Sequence, residues 1–148
     1  MGNIKARQMT LSEIRQWAED FRNEYVKPVN RVPVPIEEIV EIDLGITPWP
    51  IPGMLEKIDI DGFISNDLKN IFIDNRIYSD IRFENRLRFT YAEEVGHLVL
   101  HKEEIENCEF RTEQDWIKFR EEMSEKSCPG LSFRLKNSRE GFLFQRQI

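Results

Sequence analysis

Glu93, Glu94, His97 and His101 are the residues whose types and spacing can do chemistry. They lie in Arg88-Phe89-Thr90-Tyr91-Ala92-Glu93-Glu94-Val95-Gly96-His97-Leu98-Val99-Leu100-His101, where charged residues interrupt an otherwise apolar run. Glu93, His97 and His101 fall at i, i+4 and i+8, so a helix places them on one face. Glu94 then lies about 100° round from Glu93. In the metal-binding pattern H-E-x-x-H, two histidines one turn apart hold zinc, and the glutamate after the first takes a proton from the attacking water. Glu93-Glu94-Val95-Gly96-His97 keeps that base and the second histidine, and puts a carboxylate where the first histidine would stand. Acidic helices also produce E-E-x-x-H by chance, and the plain alternative is a solvated glutamate pair beside one satisfied histidine. His101 stands eight residues from Glu93, ~12 Å along a helix, too far to share an ion with it. Its expected place is the helix end, where the negative end of the dipole favours it.

The flanks sharpen this. Arg88-Phe89-Thr90-x-Ala92-x-Glu94-x-Gly96-His97-Leu98-x-Leu100-His101 resembles the active-site helix of the ImmA/IrrE metallopeptidases, whose usual form is R-F-T-x-A-H-E-x-G-H-x-x-x-H. The one departure, Glu93, falls on a metal ligand. The resemblance covers about residues 10–126 and implies a zincin-like fold, with Glu93 and His97 as ligands and Glu94 as the catalytic base. It also implies a third ligand, a glutamate on a later helix of the form E-x-x-A-x-x-F-A-x-x-L-L-x-P. Glu140, with Phe144 four residues on, is the candidate here, although Gly141 follows it and no proline closes the run. Zinc is the implied metal. A carboxylate ligand adds negative charge at the ion, which makes its water less acidic, and harder ligation widens the choice towards Mn²⁺ or Fe²⁺.

The chain has 148 residues, enough for one domain with a core, and its 40% hydrophobic and 32% charged residues fit a globular protein. No apolar run approaches the ~20 residues of a membrane span, and Met1-Gly2-Asn3-Ile4-Lys5 lacks a signal-peptide core. Ala6 stands where an N-myristoylation signal needs serine or threonine. The two cysteines, Cys108 and Cys128, lack CxxC spacing and are expected as reduced thiols of a cytoplasmic protein. A net charge of −6 disfavours direct nucleic-acid binding but suits recognition of a basic protein.

The elements that must position the site follow in order. Thr10-Leu11-Ser12-Glu13 is a capping box, and Ile14, Trp17, Ala18, Phe21 and Tyr25 recur at helical period, so a helix is predicted over about 11–25. Pro35 opens a second, short helix with Ile36, Ile39 and Val40 inward and Gly45 just past its end. Leu44-Gly45-Ile46-Thr47 leads into Pro48, Pro50 and Pro52, a stretch where a short strand and an irregular loop are expected, with Trp49 packed among the prolines. Gly62-Phe63-Ile64-Ser65, the turn Asn66-Asp67, and Ile71-Phe72-Ile73-Asp74 read as a β-hairpin. In the family such a hairpin lies beside the metal helix, where an edge strand can take up an extended peptide. Residues 75–85 form the polar entry to the central helix, and Arg82, Arg86 and Arg88 read as a solvated face rather than a site for a substrate carboxylate. That helix is predicted over about 84–101, with Phe89, Ala92, Leu98 and Val99 as its apolar face and Gly96 marking a close approach by another backbone. Thr112 starts a further helix to about Lys126, carrying Trp116, Phe119 and Met123.

After Lys126 the regular patterning stops. Synonymous codons for Cys128 to Gln147, read from the third base of each, can spell S-W-L-E-F-Q-A-K-E-F-S-R-R-I-L-V-P-K-T-N. That string holds E-x-x-A-x-x-F and a terminal L-V-P, as the family's ligand helix does. A frameshift near 126–128 is therefore expected, and the nucleotide sequence tests it. A stop codon in the alternative frame, or loss of that glutamate codon, would end the idea.

The expectation is thus a single α+β domain over residues 1–148, with several helices around a small sheet or hairpin, a central active-site helix and an atypical tail over 127–148. Its implied role is a zinc metallo-endopeptidase that cleaves a separate helix-turn-helix repressor, typically from a phage or mobile element. The alternatives are a catalytically impaired module that binds the repressor without cutting it, and an inactive remnant of a mobile element.

Overall fold

Thr10 starts the first helix as its neighbours dictate. In the computed structural model, which describes residues 9–107, Thr10 Oγ1 accepts the Glu13 N–H at 3.2 Å and Glu13 returns a carboxylate oxygen to the Thr10 N–H at 2.7 Å. Helix α1 (Leu11–Tyr25) buries Ile14, Ala18 and Phe21, spaced along one stripe. Trp17, placed with them by the period, is instead an exposed residue. The helix expected over 112–126, Glu140 and the tail lie outside the described residues.

Helix α2 (Ile36–Glu38) is a single turn that widens into a π-turn at Ile39–Asp43. Ile36, Ile39 and Val40 are buried as the sequence implied, and Gly45 follows at φ +65°, the left-handed conformation that glycine adopts without strain. Strand β1 (Thr47–Ile51) runs straight through Pro48 and Pro50, in the stretch where a short strand and an irregular loop were expected. Its pairing explains why. Strand β1 lies parallel to β3 (Asn70–Asp74), with Thr47 opposite Asn70 and Trp49 opposite Phe72, and the Thr47 N–H donates to Lys69 O. Alternation then turns Thr47, Trp49 and Ile51 towards β3, while Pro48 and Pro50 face away, where no N–H is needed. The prolines also blunt this edge of the sheet against pairing with another strand. Trp49, expected among packed residues, is 53% exposed, and its indole N–H donates to Asn70 Oδ1 at 2.8 Å.

Helix α3 (Met54–Ile58) leads to strand β2 (Gly62–Ile64), which pairs antiparallel with β3 through Phe63 opposite Phe72. The hairpin thus forms as read, and β1 joins it to give a three-stranded mixed sheet in the order β1-β3-β2. Asp74 ends β3 and caps helix α4 (Asn75–Ser79): its Oδ1 accepts the Arg76 N–H, and its Oδ2 accepts the Leu55 N–H of α3. A short 3₁₀ turn, Ile81–Phe83, delivers the chain into the long helix α5 (Glu84–Leu100), followed by α6 (Lys102–Glu106).

Helix α5 packs against β2, α2, α4 and α1, so its buried surface is wider than one stripe. Thr90, Tyr91, Ala92, Glu94, Val95 and Gly96 are its buried residues. Of the face expected from the sequence, only Ala92 is fully buried; Phe89, Leu98 and Val99 are half-buried. Tyr91, Ala92 and Val95 join Ile71, Ile73, Ile36, Ile39 and Phe21 in the main core. Arg82 is solvated as expected, with its side chain 81% exposed, whereas Arg86 and Arg88 are tied into the fold. Arg86 grips Asp61 with two bonds of 2.6 Å, and Arg88 reaches Glu37 at 3.1 Å and the Val34 carbonyl at 2.6 Å. These pairs fix the first half of α5 to the approach to β2 and to α2. Arg82 pairs with Asp80, which it holds well below the usual carboxylate range, at about 2. No helix among the described residues is long and apolar enough to cross a membrane.

Candidate active site

Glu94 is the best-defined member of the site. It sits on the inner side of α5 and is 2% exposed. Its Oε2 accepts the Ile64 N–H at 3.0 Å. The sheet register makes that donor available. Ser65 N–H donates to Asn70 O and Asp74 N–H to Asp61 O, so residues 61, 63 and 65 point their backbone groups at β3. Ile64 must then direct its N–H away from β3, off the edge of the sheet and towards α5. The carboxylate terminates that edge. It satisfies an amide that would otherwise be buried, and the amide holds one carboxylate oxygen in place.

Close contact between β2 and α5 makes this bond possible, and Gly62 allows the contact. A β-carbon on Gly62 would lie 2.8 Å from the Phe72 carbonyl oxygen and 2.8 Å from Thr90 Cγ2. Thr90 is itself fixed, buried with its hydroxyl donating to the Arg86 carbonyl at 2.9 Å. Tyr91, one residue on, donates its hydroxyl to Glu41 at 3.2 Å, and burial followed by the Glu41 charge pushes its phenol up. Gly62, Ile64 and Thr90 are therefore supports of the site that the sequence reading missed. The advance signals were a glycine at the start of a strand and the place of Thr90 in the helix motif.

Glu93 and His97, one turn apart on α5, are both half-buried, and Glu94 lies about 100° round the helix from Glu93. A carboxylate and an imidazole at this spacing could offer two of the three protein donors that a catalytic zinc site needs. Among the described residues no three His, Cys, Asp or Glu side chains come together, so a third donor has to come from outside them. Glu140, the candidate for that position, lies outside the described residues.

His101 ends the helix as expected, with φ −130° and ψ 25°, and its side chain is 4% exposed. Its Nδ1 lies 3.3 Å from Nδ1 of His97, and its backbone N–H donates to the His97 carbonyl at 2.8 Å. Burial pushes the His101 imidazole below the usual histidine range, with the Glu104 carboxylate acting the other way. His101 thus meets His97, although its distance along the helix separates it from Glu93. No protein-family model, curated protein or solved structure matches the chain.

Proposed function

We propose that the chain is a cytoplasmic metallo-endopeptidase of the ImmA/IrrE type, with Glu93, His97 and Glu140 as metal ligands and Glu94 as the general base. Its substrate is a helix-turn-helix repressor, a separate protein from a phage or mobile element. The observation that carries this reading is the placement of Glu94 at the edge of β2, held by the Ile64 N–H, on the same helix as two potential ligands. When bound, zinc supplies Lewis acidity towards water and a peptide carbonyl. The chain's own residues do the rest. The Ile64 amide orients the Glu94 carboxylate, and burial of that carboxylate keeps bulk water from it.

Elemental analysis of the purified protein tests the reading. Near-stoichiometric zinc is expected, and both Glu93→Ala and His97→Ala should lose it. Protein that takes up no zinc, even when zinc is added, would sink the peptidase assignment. Glu93, a carboxylate where the family has its first ligand histidine, favours a second reading, a module that binds the repressor without cutting it. Mixing the zinc-loaded protein with the repressor separates the two, since the module forms a complex and yields no fragments.

A further inference from the structure

The Nδ1 atoms of His97 and His101 are 3.3 Å apart, and only one of them can carry the proton between two neutral rings. We propose that His101 is a positioning residue: it accepts the Nδ1–H of His97 and so keeps the His97 lone pair on Nε2, the nitrogen that would bind a metal. The inference rests on His97 being a ligand, as proposed above.

Three features of the chain favour this direction. A histidine that binds metal through one ring nitrogen needs the other to be a donor, and a partner for that donor fixes both tautomer and ring angle. The usual partner is a carboxylate or a carbonyl; here the nitrogen next to His97 Nδ1 belongs to a second imidazole. His101 is built to stay still. Its ring is 4% exposed, its backbone leaves the helix at that residue, and its carbonyl accepts the Ile105 N–H at 3.0 Å as the chain enters α6. Finally, the same two residues are joined twice, by ring to ring and by the His101 N–H to the His97 carbonyl, so the pair moves as one unit. The opposite tautomer would place a hydrogen on His97 Nε2 and remove its capacity to bind an ion.

Long-range ¹H–¹⁵N spectra of the ring nitrogens, recorded on metal-free protein near pH 8, read the tautomer directly. The expected result is a protonated Nδ1 and an unprotonated Nε2 on His97, with the reverse on His101. Titration with Zn²⁺ alone should then move His97 Nε2. His101→Phe, which fills the space without an acceptor, should weaken zinc binding by about 10–100-fold, the usual effect of losing such a partner. His101→Gln, whose carbonyl oxygen can accept, should restore most of it. Protonated Nε2 on His97, or zinc seated on both Nδ1 atoms, would overturn the proposal, as would unchanged zinc affinity in His101→Phe. Should His101→Phe fail to fold, the wild-type tautomer and the His101→Gln affinity decide the matter. The two readings fail separately. Absent zinc binding with His97 protonated on Nδ1 removes the ligand assignment and upholds the pairing. Zinc binding with His97 protonated on Nε2 does the opposite.

Discussion

Glu94→Gln should leave the fold intact and abolish hydrolysis, whereas Glu94→Ala should damage both. The glutamine keeps a carbonyl oxygen for the Ile64 N–H, now 3.0 Å from Glu94 Oε2, and nearly the same volume in a site that is 2% exposed. It also removes a charge held away from water, which works in the variant's favour. Stability within about 1 kcal/mol of wild type is expected, since one neutral hydrogen bond replaces a charged one. An amide cannot take a proton from water, so activity on the repressor should fall by about 10²–10⁴-fold. Alanine leaves the Ile64 N–H without its acceptor and opens a cavity between β2 and α5. Those two losses, partly offset by relief of the buried charge, amount to roughly 2 kcal/mol. Urea denaturation of the three proteins and a cleavage assay on the metal-loaded forms check both halves. Cleavage by Glu94→Gln at the wild-type rate would remove Glu94 from the chemistry and leave it a purely structural residue.

Gly62→Ala is expected to be strongly destabilising. The new β-carbon would stand 2.8 Å from the Phe72 carbonyl oxygen and 2.8 Å from Thr90 Cγ2. Phe72 belongs to the central strand, paired on both sides, so its carbonyl has nowhere to go. Overpacking of this kind destabilises by about 1–3 kcal/mol, and a backbone neighbour puts the effect at the upper end. A domain of this size loses about 2–4 °C of Tm per kcal/mol, so a fall of roughly 5–10 °C is expected in a thermal melt. The effect should reach the site as well, because Ile64, two residues on, carries the amide that holds Glu94. Thr90→Ser removes one of the two clashing atoms and should recover part of the loss in the double variant, while the carbonyl clash persists. A Tm within 1–2 °C of wild type for Gly62→Ala would show that β2 and α5 are less tightly apposed than this structure has them.

Local chemistry made some elements legible. The capping box at Thr10 and Glu13 and the extended chain after Tyr25 set both ends of α1, because each signal acts within a few residues. The hairpin was readable for the same reason, from alternating isoleucines on either side of Asn66-Asp67. Helix α5 announced itself by spacing, and so did the shared face of Glu93 and His97. The extent of strand β1 was not legible. Prolines read as a loop until a partner strand more than twenty residues away shows that their missing N–H groups point off the edge. Nor could the sequence tell that Glu94 faces inward. A glutamate in an acidic helix normally turns to water, and here the outward amide of Ile64, brought up by the bare backbone of Gly62, gives it a buried partner. The meeting of His97 with His101 lay half in view, since their i, i+4 spacing is printed in the chain. Burial of the His101 ring where α5 ends and α6 begins is what turned that spacing into contact. Short-range hydrogen bonding and periodicity therefore wrote the list of candidate residues, and the packing of one strand edge against one helix assigned them their surroundings.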